Sequence, residues 1–182
     1  TKANQDAARS IHDHAFHLES QLEQMRKILA RPYRDDRVLA LYPICGVGTI
    51  ASAFGCRTEF FDHTLPWTQH VIEDPADIDH LVPEIRKADL FDLALQKLHY
   101  LQDRVGDLIP IGLPDIQGPL DTASIVMNDT ALLLAMHTDP ARIHRLLGMI
   151  TDVLIEMVHR FSKEVANPFC MSHSRWLPRG IH

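Results

Sequence analysis

The amino-acid sequence predicts an α/β fold in which the strands run parallel. Short apolar segments bounded by Gly, Pro and polar turn residues lie at residues 38–44, 109–113 and 169–172, as expected for buried strands. Between these segments, apolar residues recur at spacings of three and four, which indicates amphipathic helices. Strands that alternate with helices pair in parallel, because each helix carries the chain back to the edge where the next strand begins.

Length and composition favour one globular domain and exclude several classes of function. The chain has 182 residues, 46% of them hydrophobic, and a formal net charge of -6. The acidic balance argues against a nucleic-acid partner, since phosphate binding requires clustered Lys and Arg. No apolar run approaches the roughly 20 residues that cross a bilayer. Cys45, Cys56 and Cys170 are odd in number and widely spaced, so we expect reduced thiols and a cytoplasmic location.

The N-terminal region is predicted to be one helix over residues 10–30. Its apolar stripe consists of Ile11, Ala15, Leu18, Leu22, Met25 and Leu29. His12, His14 and His17 lie in the first turns of this helix. We interpret them as an exposed face, because no carboxylate or Cys completes a set of metal ligands at helical spacing. Pro32 ends the helix.

The strand at residues 38–44 leads into a glycine-containing turn at residues 45–48. Two glycines allow the backbone to turn tightly or to approach a ligand closely. Residues 49–54 are predicted to form a short helix capped by Gly55, and residues 57–61 a second extended piece.

Capping residues and apolar periodicity predict the remaining helices. Asp74, which precedes a proline, begins one helical region. An amphipathic helix over residues 83–105 ends at Gly106, and further helices are predicted over residues 122–136 and 140–165.

Five short motifs follow one another in the second half of the chain. They are Gly118-Pro119, then Leu132 to Met136 (LLLAM), Asp139-Pro140, His144 to Leu147 (HRLL) and Thr151-Asp152. As a set they resemble the uroporphyrinogen decarboxylase (URO-D) superfamily, which includes the decarboxylases and the corrinoid-dependent methyltransferases. The resemblance extends from about residue 38 to the end and implies a (β/α)8 TIM barrel.

A barrel of this type typically needs about 250 residues, so the resemblance implies that only its first part is present in this chain. We expect a single incomplete domain over residues 1–182, with an N-terminal helical segment at 1–37 and the first βα units at 38–182. The chain would then be the amino-terminal part of a longer protein or one piece of a divided one.

On the barrel interpretation, three strand ends meet at one mouth, because parallel strands end at the same edge. The residues at these ends are Cys45 and Gly46, then Asp115 and Gln117, then Ser172, His173, Ser174 and Arg175. His173, which titrates near neutral pH, and Asp115 are the candidate catalytic groups. The candidate substrate-binding residues are Cys45, Gly46, Gln117 and Arg175, whose guanidinium suits a carboxylate. The alternative for each residue is ordinary loop chemistry, such as caps, turns and surface salt bridges.

The resemblance also indicates which activity to expect. The decarboxylases of the superfamily carry an Asp where this sequence has Gly46 and a Tyr where it has Ile125, and their Arg-rich N-terminal motif has no counterpart here. The resemblance therefore implies methyl transfer linked to a corrinoid (cobalamin) cofactor. The alternatives are a divergent uroporphyrinogen or tetrapyrrole decarboxylase, and a non-catalytic tetrapyrrole-binding module or half-barrel that needs a partner.

Cofactors and partners follow from the same resemblance. The methyltransferase branch uses zinc to activate a thiolate or a related acceptor. We expect the zinc ligands to lie outside this chain, with Cys170 or His173 as the nearest candidates within it. The expected partners are a small-molecule or tetrapyrrole ligand, a corrinoid protein, and a second copy or a second barrel half, with no nucleic acid and no membrane.

Overall fold

The computed structural model describes residues 2–32, 39–61 and 66–165, and these residues are mostly helical. The α-helices are α1 (Lys2–His12), α2 (His14–Leu29), α3 (Asp89–Val105), α4 (Pro119–Val126), α5 (Asp129–Thr138) and α6 (Pro140–Glu164). Three short 3₁₀ helices occupy Ala51–Phe54, Pro75–His80 and Ile85–Lys87. The predicted strand at 169–172 lies outside the described residues. No helix in the described ranges is long and apolar enough to cross a bilayer.

The N-terminal region forms two helices instead of the single helix predicted over residues 10–30. The break falls at Asp13, whose backbone is extended and whose Oδ1 accepts a hydrogen bond from the Phe16 N–H at 2.9 Å. An Asp side chain that binds the free N–H groups of a helix stabilises a new helix start. The prediction of one uninterrupted helix was therefore wrong, because a capping residue outweighs a continuous apolar stripe.

The two segments predicted as the first strands pair in parallel, but at a single residue each. Leu41 bridges Ile111: the Leu41 N–H donates to Pro110 O at 2.9 Å, and the Gly112 N–H donates to Leu41 O at 2.8 Å. The predicted direction of pairing is confirmed at this bridge, whereas regular strands over 38–44 and 109–113 are not present in the described part of the chain. We call these elements the 39–44 segment and the 109–113 segment.

Gly112 allows the two segments to approach closely. A Cβ atom at this position would lie 2.5 Å from Cε1 of Tyr42, so the tyrosine ring occupies the space where any other residue would place its side chain. The approach of backbone to ring therefore requires glycine here.

A second parallel bridge joins Ile72 to Met127, and it explains another difference from the sequence prediction. The helix predicted over 122–136 is divided into α4 and α5, because Met127 is extended and pairs with Ile72. Asn128 then begins α5 by accepting the N–H groups of Thr130 and Ala131 at 3.0 and 3.2 Å.

The remaining predictions for this region are largely confirmed. Residues 58–59 form β1 (Thr58–Glu59), as the predicted extended piece requires, but β1 pairs antiparallel with β2 (Trp67–Thr68), so the prediction of parallel strands was wrong for this pair. Gly55 has a positive φ of 89° and closes the short helix before it. The helix predicted over 83–105 begins later, at Asp89, and ends before Gly106 as expected.

Helix α6 completes the core and packs against α4, α5, α3 and the 3₁₀ helix Pro75–His80. Asp139 caps it by accepting the Arg142 N–H. At the surface of the same contact, Arg142 and Arg145 both pair with Asp79, at 2.8 and 3.3 Å. The carboxylate of Asp79 thereby links the 3₁₀ helix to α6 across the chain.

Candidate functional site

The parallel bridge between Leu41 and Ile111 determines where the candidate site residues lie. Because both segments run in the same direction, the turns that follow them emerge at the same end of the pair. These turns contain Cys45 and Gly46 after the first segment, and Asp115 and Gln117 after the second. Cys45, Gly46, Asp115 and Gln117 therefore follow the same end of the paired segments, and their membership of one site stays a prediction.

Cys45 and Gly46 form the first of these turns. Gly46 has a φ of +94°, a conformation that residues with a side chain rarely adopt. Cys45 is fully buried, and its thiol donates to Pro43 O at 3.6 Å. Burial raises the pKa of the Cys45 thiol to about 11, so the group is a protonated thiol at neutral pH rather than a nucleophilic thiolate. Its role in substrate binding stays a prediction.

Asp115 and Gln117 form the second turn, and both are half-buried. The Gln117 amide donates to Asp115 Oδ1 at 3.2 Å, which orients the carboxylate. Gln117 is held in turn by Thr122, whose hydroxyl donates to its carbonyl at 3.5 Å. A carboxylate fixed in this way can accept a proton or bind a cationic or hydroxyl group of a ligand.

The other predicted site residues cannot be placed. Ser172, His173, Ser174 and Arg175 lie outside the described residues. The catalytic role of His173 and the carboxylate-binding role of Arg175 stay predictions.

A cluster that the sequence analysis did not single out lies beside the first turn. The ammonium group of Lys97, on α3, donates to Ser10 O at 2.9 Å and to Ile44 O at 2.6 Å, and the side chain is fully buried. Burial lowers the pKa of Lys97, and the nearby Cys45 opposes that shift. The sequence carries a signal for this position, because Lys97 falls on the apolar stripe of α3 between Ala94 and Leu101.

His17 belongs to the same cluster. Its Nδ1 lies 2.7 Å from the Ser10 hydroxyl, and its Nε2 lies 2.8 Å from both Tyr42 O and Nε2 of Gln21. With the proton on Nε2 the ring donates to Tyr42 O, and with the proton on Nδ1 it accepts from the Gln21 amide. The expectation of an exposed histidine face was wrong for His17, which is only 3% exposed because α2 packs this face against the 39–44 segment. Burial, helped by the charge of Lys97, lowers the pKa of His17 to about 4.

We call this cluster the polar junction; it consists of Ser10, His17, Gln21, Lys97 and the backbone of residues 42–44. It joins α1, α2 and α3 to the end of the 39–44 segment. Since Ile44 directly precedes Cys45, these contacts also fix the start of the candidate site turn.

The described residues do not fit a zinc ion. Within residues 2–32, 39–61 and 66–165, no group of three His, Cys, Asp or Glu side chains lies close enough to hold a metal. Cys45 and Cys56 are both buried, and burial raises the pKa of each thiol, which disfavours the thiolate that zinc requires.

The family is decided by comparison with known sequence families. The profile described as uroporphyrinogen decarboxylase (URO-D) matches residues 3–176, nearly the whole chain. The chain belongs to the uroporphyrinogen decarboxylase family. The resemblance drawn from the motifs between Gly118 and Asp152 is thereby confirmed, and the match extends to the N-terminal helices.

A solved structure supports the family's fold. A methyltransferase from Methanosarcina mazei superimposes on this URO-D family chain with a TM-score of 0.52 and 16% sequence identity. The superposition covers 65% of this chain and 37% of the methyltransferase, so the chain spans well under half of that protein. At this identity the likeness concerns the fold. No curated protein sequence matches the chain.

Proposed function

We propose that the chain forms the first βα units of a (β/α)8 barrel and serves methyl transfer linked to a corrinoid cofactor. The observation that carries this proposal is Gly46. The 39–44 segment leads to a residue without a side chain, in a backbone conformation that favours glycine. The decarboxylases that the sequence resembles carry an Asp at this place, whose carboxylate would hold the pyrrole nitrogens of the substrate.

The missing carboxylate weighs against decarboxylation at this turn. An Asp at position 46 would have to adopt a φ near +94°, which is strained for a residue with a Cβ. The fold match to a methyltransferase points in the same direction as the missing carboxylate, although at 16% identity it concerns the fold.

The described residues supply one wall of the proposed site. Asp115, oriented by the Gln117 amide, is the group that would bind a polar substrate or accept a proton. Cys45 and Gly46 form the backbone of the neighbouring turn, and we propose that His173 and Arg175 complete the mouth. A corrinoid would supply a cobalt centre that accepts and releases the methyl group. Zinc ligands are expected outside this chain.

The test is the loss of methyl–cobalt absorbance. The protein is mixed with methylcobalamin and a panel of thiol and amine acceptors, and the visible spectrum is followed over time. Methyl transfer predicts loss of the methyl–cobalt band with at least one acceptor. An unchanged spectrum with every acceptor, combined with turnover of a porphyrinogen, would overturn the proposal in favour of a decarboxylase. Tight tetrapyrrole binding without turnover would favour a binding module.

One substitution connects the activity to the site. Asp115→Asn removes the carboxylate charge and preserves the shape, so the rate should fall by about 100-fold if Asp115 acts as a general base. Asp121→Asn, on the exposed first turn of α4, is the matched control and should retain the wild-type rate. Equal rates for the two variants would remove Asp115 from the mechanism.

A further inference from the structure

The hairpin of β1 and β2 packs against the turn at residues 45–48. Thr58 of β1 pairs with Thr68 of β2, and their hydroxyl oxygens lie 2.8 Å apart. A Cβ atom on Gly48 would lie 2.5 Å from the hydroxyl oxygen of Thr58 and 3.1 Å from that of Thr68. Only glycine therefore allows the threonine pair to approach the turn so closely, and this contact holds the hairpin beside the candidate site.

Phe60 follows β1 and borders the other glycine of the turn. A Cβ atom on Gly46 would lie 3.9 Å from Cε1 of Phe60, and within the described ranges no other atom outside the adjoining residues comes within 4 Å of it. The imidazole of His12 meets the Phe60 ring edge-on, with the ring centroids 5.9 Å apart. Phe60 is half-buried, so it is held between α1 and the turn while part of it remains exposed.

The described atoms on the open side of Gly46 thus belong to an aromatic ring. This is the side on which any other residue would carry its side chain, including the Asp that the decarboxylases have at this place. An aromatic ring attracts alkyl and aromatic carbon through dispersion and apolar burial, and it offers no carboxylate to pyrrole N–H groups. The second turn differs, because there Gln117 orients the carboxylate of Asp115.

We propose that Phe60 is a substrate-binding residue that seats an apolar group of the ligand, alkyl or aromatic, beside Gly46. The inference rests on the proposed function, because it places the ligand at the same mouth as Asp115. Phe60 thereby determines specificity: its ring selects a carbon surface at the first turn, whereas the Asp115 carboxylate binds a polar group at the second. The sequence analysis assigned no role to Phe60.

The experiment measures the affinity of the 182-residue chain for two probes, methylcobalamin and a porphyrinogen, by quenching of tryptophan fluorescence. Phe60→Ala should weaken the binding of methylcobalamin by at least about tenfold, because the ring contact is lost. Phe60→Leu keeps a carbon surface beside Gly46 and should weaken binding by less than about threefold.

Tyr100→Ala is the matched control. The Tyr100 ring is also half-buried and also meets a histidine edge-on, with its centroid 5.6 Å from that of His14. It lies about 15 Å along α3 from Leu90, the residue of that helix that a Cβ atom on Gly48 would touch. Tyr100→Ala should therefore bind both probes as the wild type does.

Phe60→Asp separates a binding role from a purely structural one. A carboxylate beside Gly46 should weaken the binding of methylcobalamin and strengthen that of the porphyrinogen, so the ratio of the two dissociation constants should shift by at least about tenfold. Loss of the hairpin would instead weaken the binding of both probes together. Hydrogen exchange at the Gln69 amide, which donates to Arg57 O at 2.9 Å, reports by NMR whether the hairpin persists.

Three outcomes would overturn the proposal. They are wild-type affinity for methylcobalamin in Phe60→Ala, an unchanged ratio of dissociation constants in Phe60→Asp, with or without faster exchange at Gln69, and a wild type that binds neither probe. The methyl-transfer assay is independent of these results. If no acceptor takes the methyl group but the ratio shifts as expected, the role of Phe60 stands and the proposed reaction is wrong. If methyl transfer occurs and the ratio does not shift, the reverse holds.

Discussion

The polar junction and the inner face of α6 hold the same chain together by different means. At the polar junction, a buried lysine, a buried histidine and a glutamine bond to backbone groups. The inner face of α6 is apolar instead. Its buried residues are Ile143, Leu146, Ile150, Val153, Met157 and Phe161.

The two regions therefore contribute differently: one mainly stabilises the fold, and the other mainly fixes the position of its neighbours. Apolar burial contributes free energy in proportion to area and tolerates small displacements. Hydrogen bonds to buried groups contribute less on average, but a misplaced partner leaves a polar group unsatisfied at considerable cost. The α6 face is therefore suited to supply stability, whereas the polar junction fixes the position of the 39–44 segment and the candidate site turn after it.

The largest effect is expected at the α6 face. Leu146→Ala should lower the free energy of unfolding by about 4 kcal/mol, because it leaves a cavity among fully buried neighbours. Urea denaturation followed by circular dichroism measures this change. Leu133→Ala, on the exposed side of α5, is the matched control and should change stability by less than about 0.5 kcal/mol. Similar costs for the two variants would contradict the assignment of α6 as the main apolar contact.

The next largest effect is a dependence of the free energy of unfolding on pH, which arises from His17 in the polar junction. The pKa of His17 is lowered to about 4 by burial and by Lys97, with a smaller contribution from His14, while the hydrogen bond to Tyr42 opposes the shift. The unfolded chain, with a pKa near 6.5, therefore binds the proton more tightly than the folded protein. Stability should be complete above about pH 6.5 and fall by about 3 kcal/mol as the pH decreases to about 4.

The variant His17→Gln tests this dependence. Its free energy of unfolding should vary less with pH in that window than that of the wild type. The control His137→Gln, at an exposed position on α5, should keep the wild-type slope. If His17→Gln and the wild type lose stability in parallel, another group is responsible for the acid sensitivity.

A smaller effect is expected from Lys97→Met, which keeps the length of the side chain but removes its donors. At neutral pH this variant should be about 2 kcal/mol less stable than the wild type, because Ser10 O and Ile44 O lose their donor. The folded pKa of Lys97 is lowered, so the unfolded chain binds this proton more tightly. The wild type should therefore gain stability relative to Lys97→Met as the pH rises toward 10.5. A gap that narrows with rising pH would contradict a buried ammonium group.

The smallest effect is expected where α6 meets solvent. Asp79→Asn removes the carboxylate that pairs with Arg142 and Arg145. Because these groups are in contact with water, the loss should be slight and should vanish in high salt. Urea midpoints at low and high salt measure it, with Asp77→Asn on the same 3₁₀ helix as the control. A loss that persists in high salt would show a structural role beyond charge.

The contrast between the two regions also explains what the sequence could predict. The periodicity of α6 and the capping residues Asp74, Asp139 and Gly106 are local signals, and the structure confirms the elements that they predict. The direction of pairing between the two segments followed from the alternation of helices with apolar segments. The place of Lys97 on the apolar stripe of α3 is a local signal of burial, but its bond to Ser10 O, 87 residues away, is a contact that no local pattern reports.

In the candidate site, too, the sequence predicted the local features and missed the contacts between residues that are far apart in the chain. The sequence placed Asp115 after a strand, and the structure puts it next to Gln117 at the expected end. The sequence could not show that Gln21 would bond to Tyr42, because a glutamine at a partly buried helix position has no pattern that sets it apart from other glutamines. His173 and Arg175 remain predictions.

The close contact between Tyr42 and Gly112 determines how the 39–44 and 109–113 segments align. Sliding the 109–113 segment by one residue in either direction would bring Ile111 or Leu113 under the tyrosine ring, where a Cβ atom would lie 2.5 Å from Cε1. Only one alignment of the two segments is therefore free of a steric clash. The tyrosine ring over Gly112 thus sets the register of the Leu41–Ile111 pair.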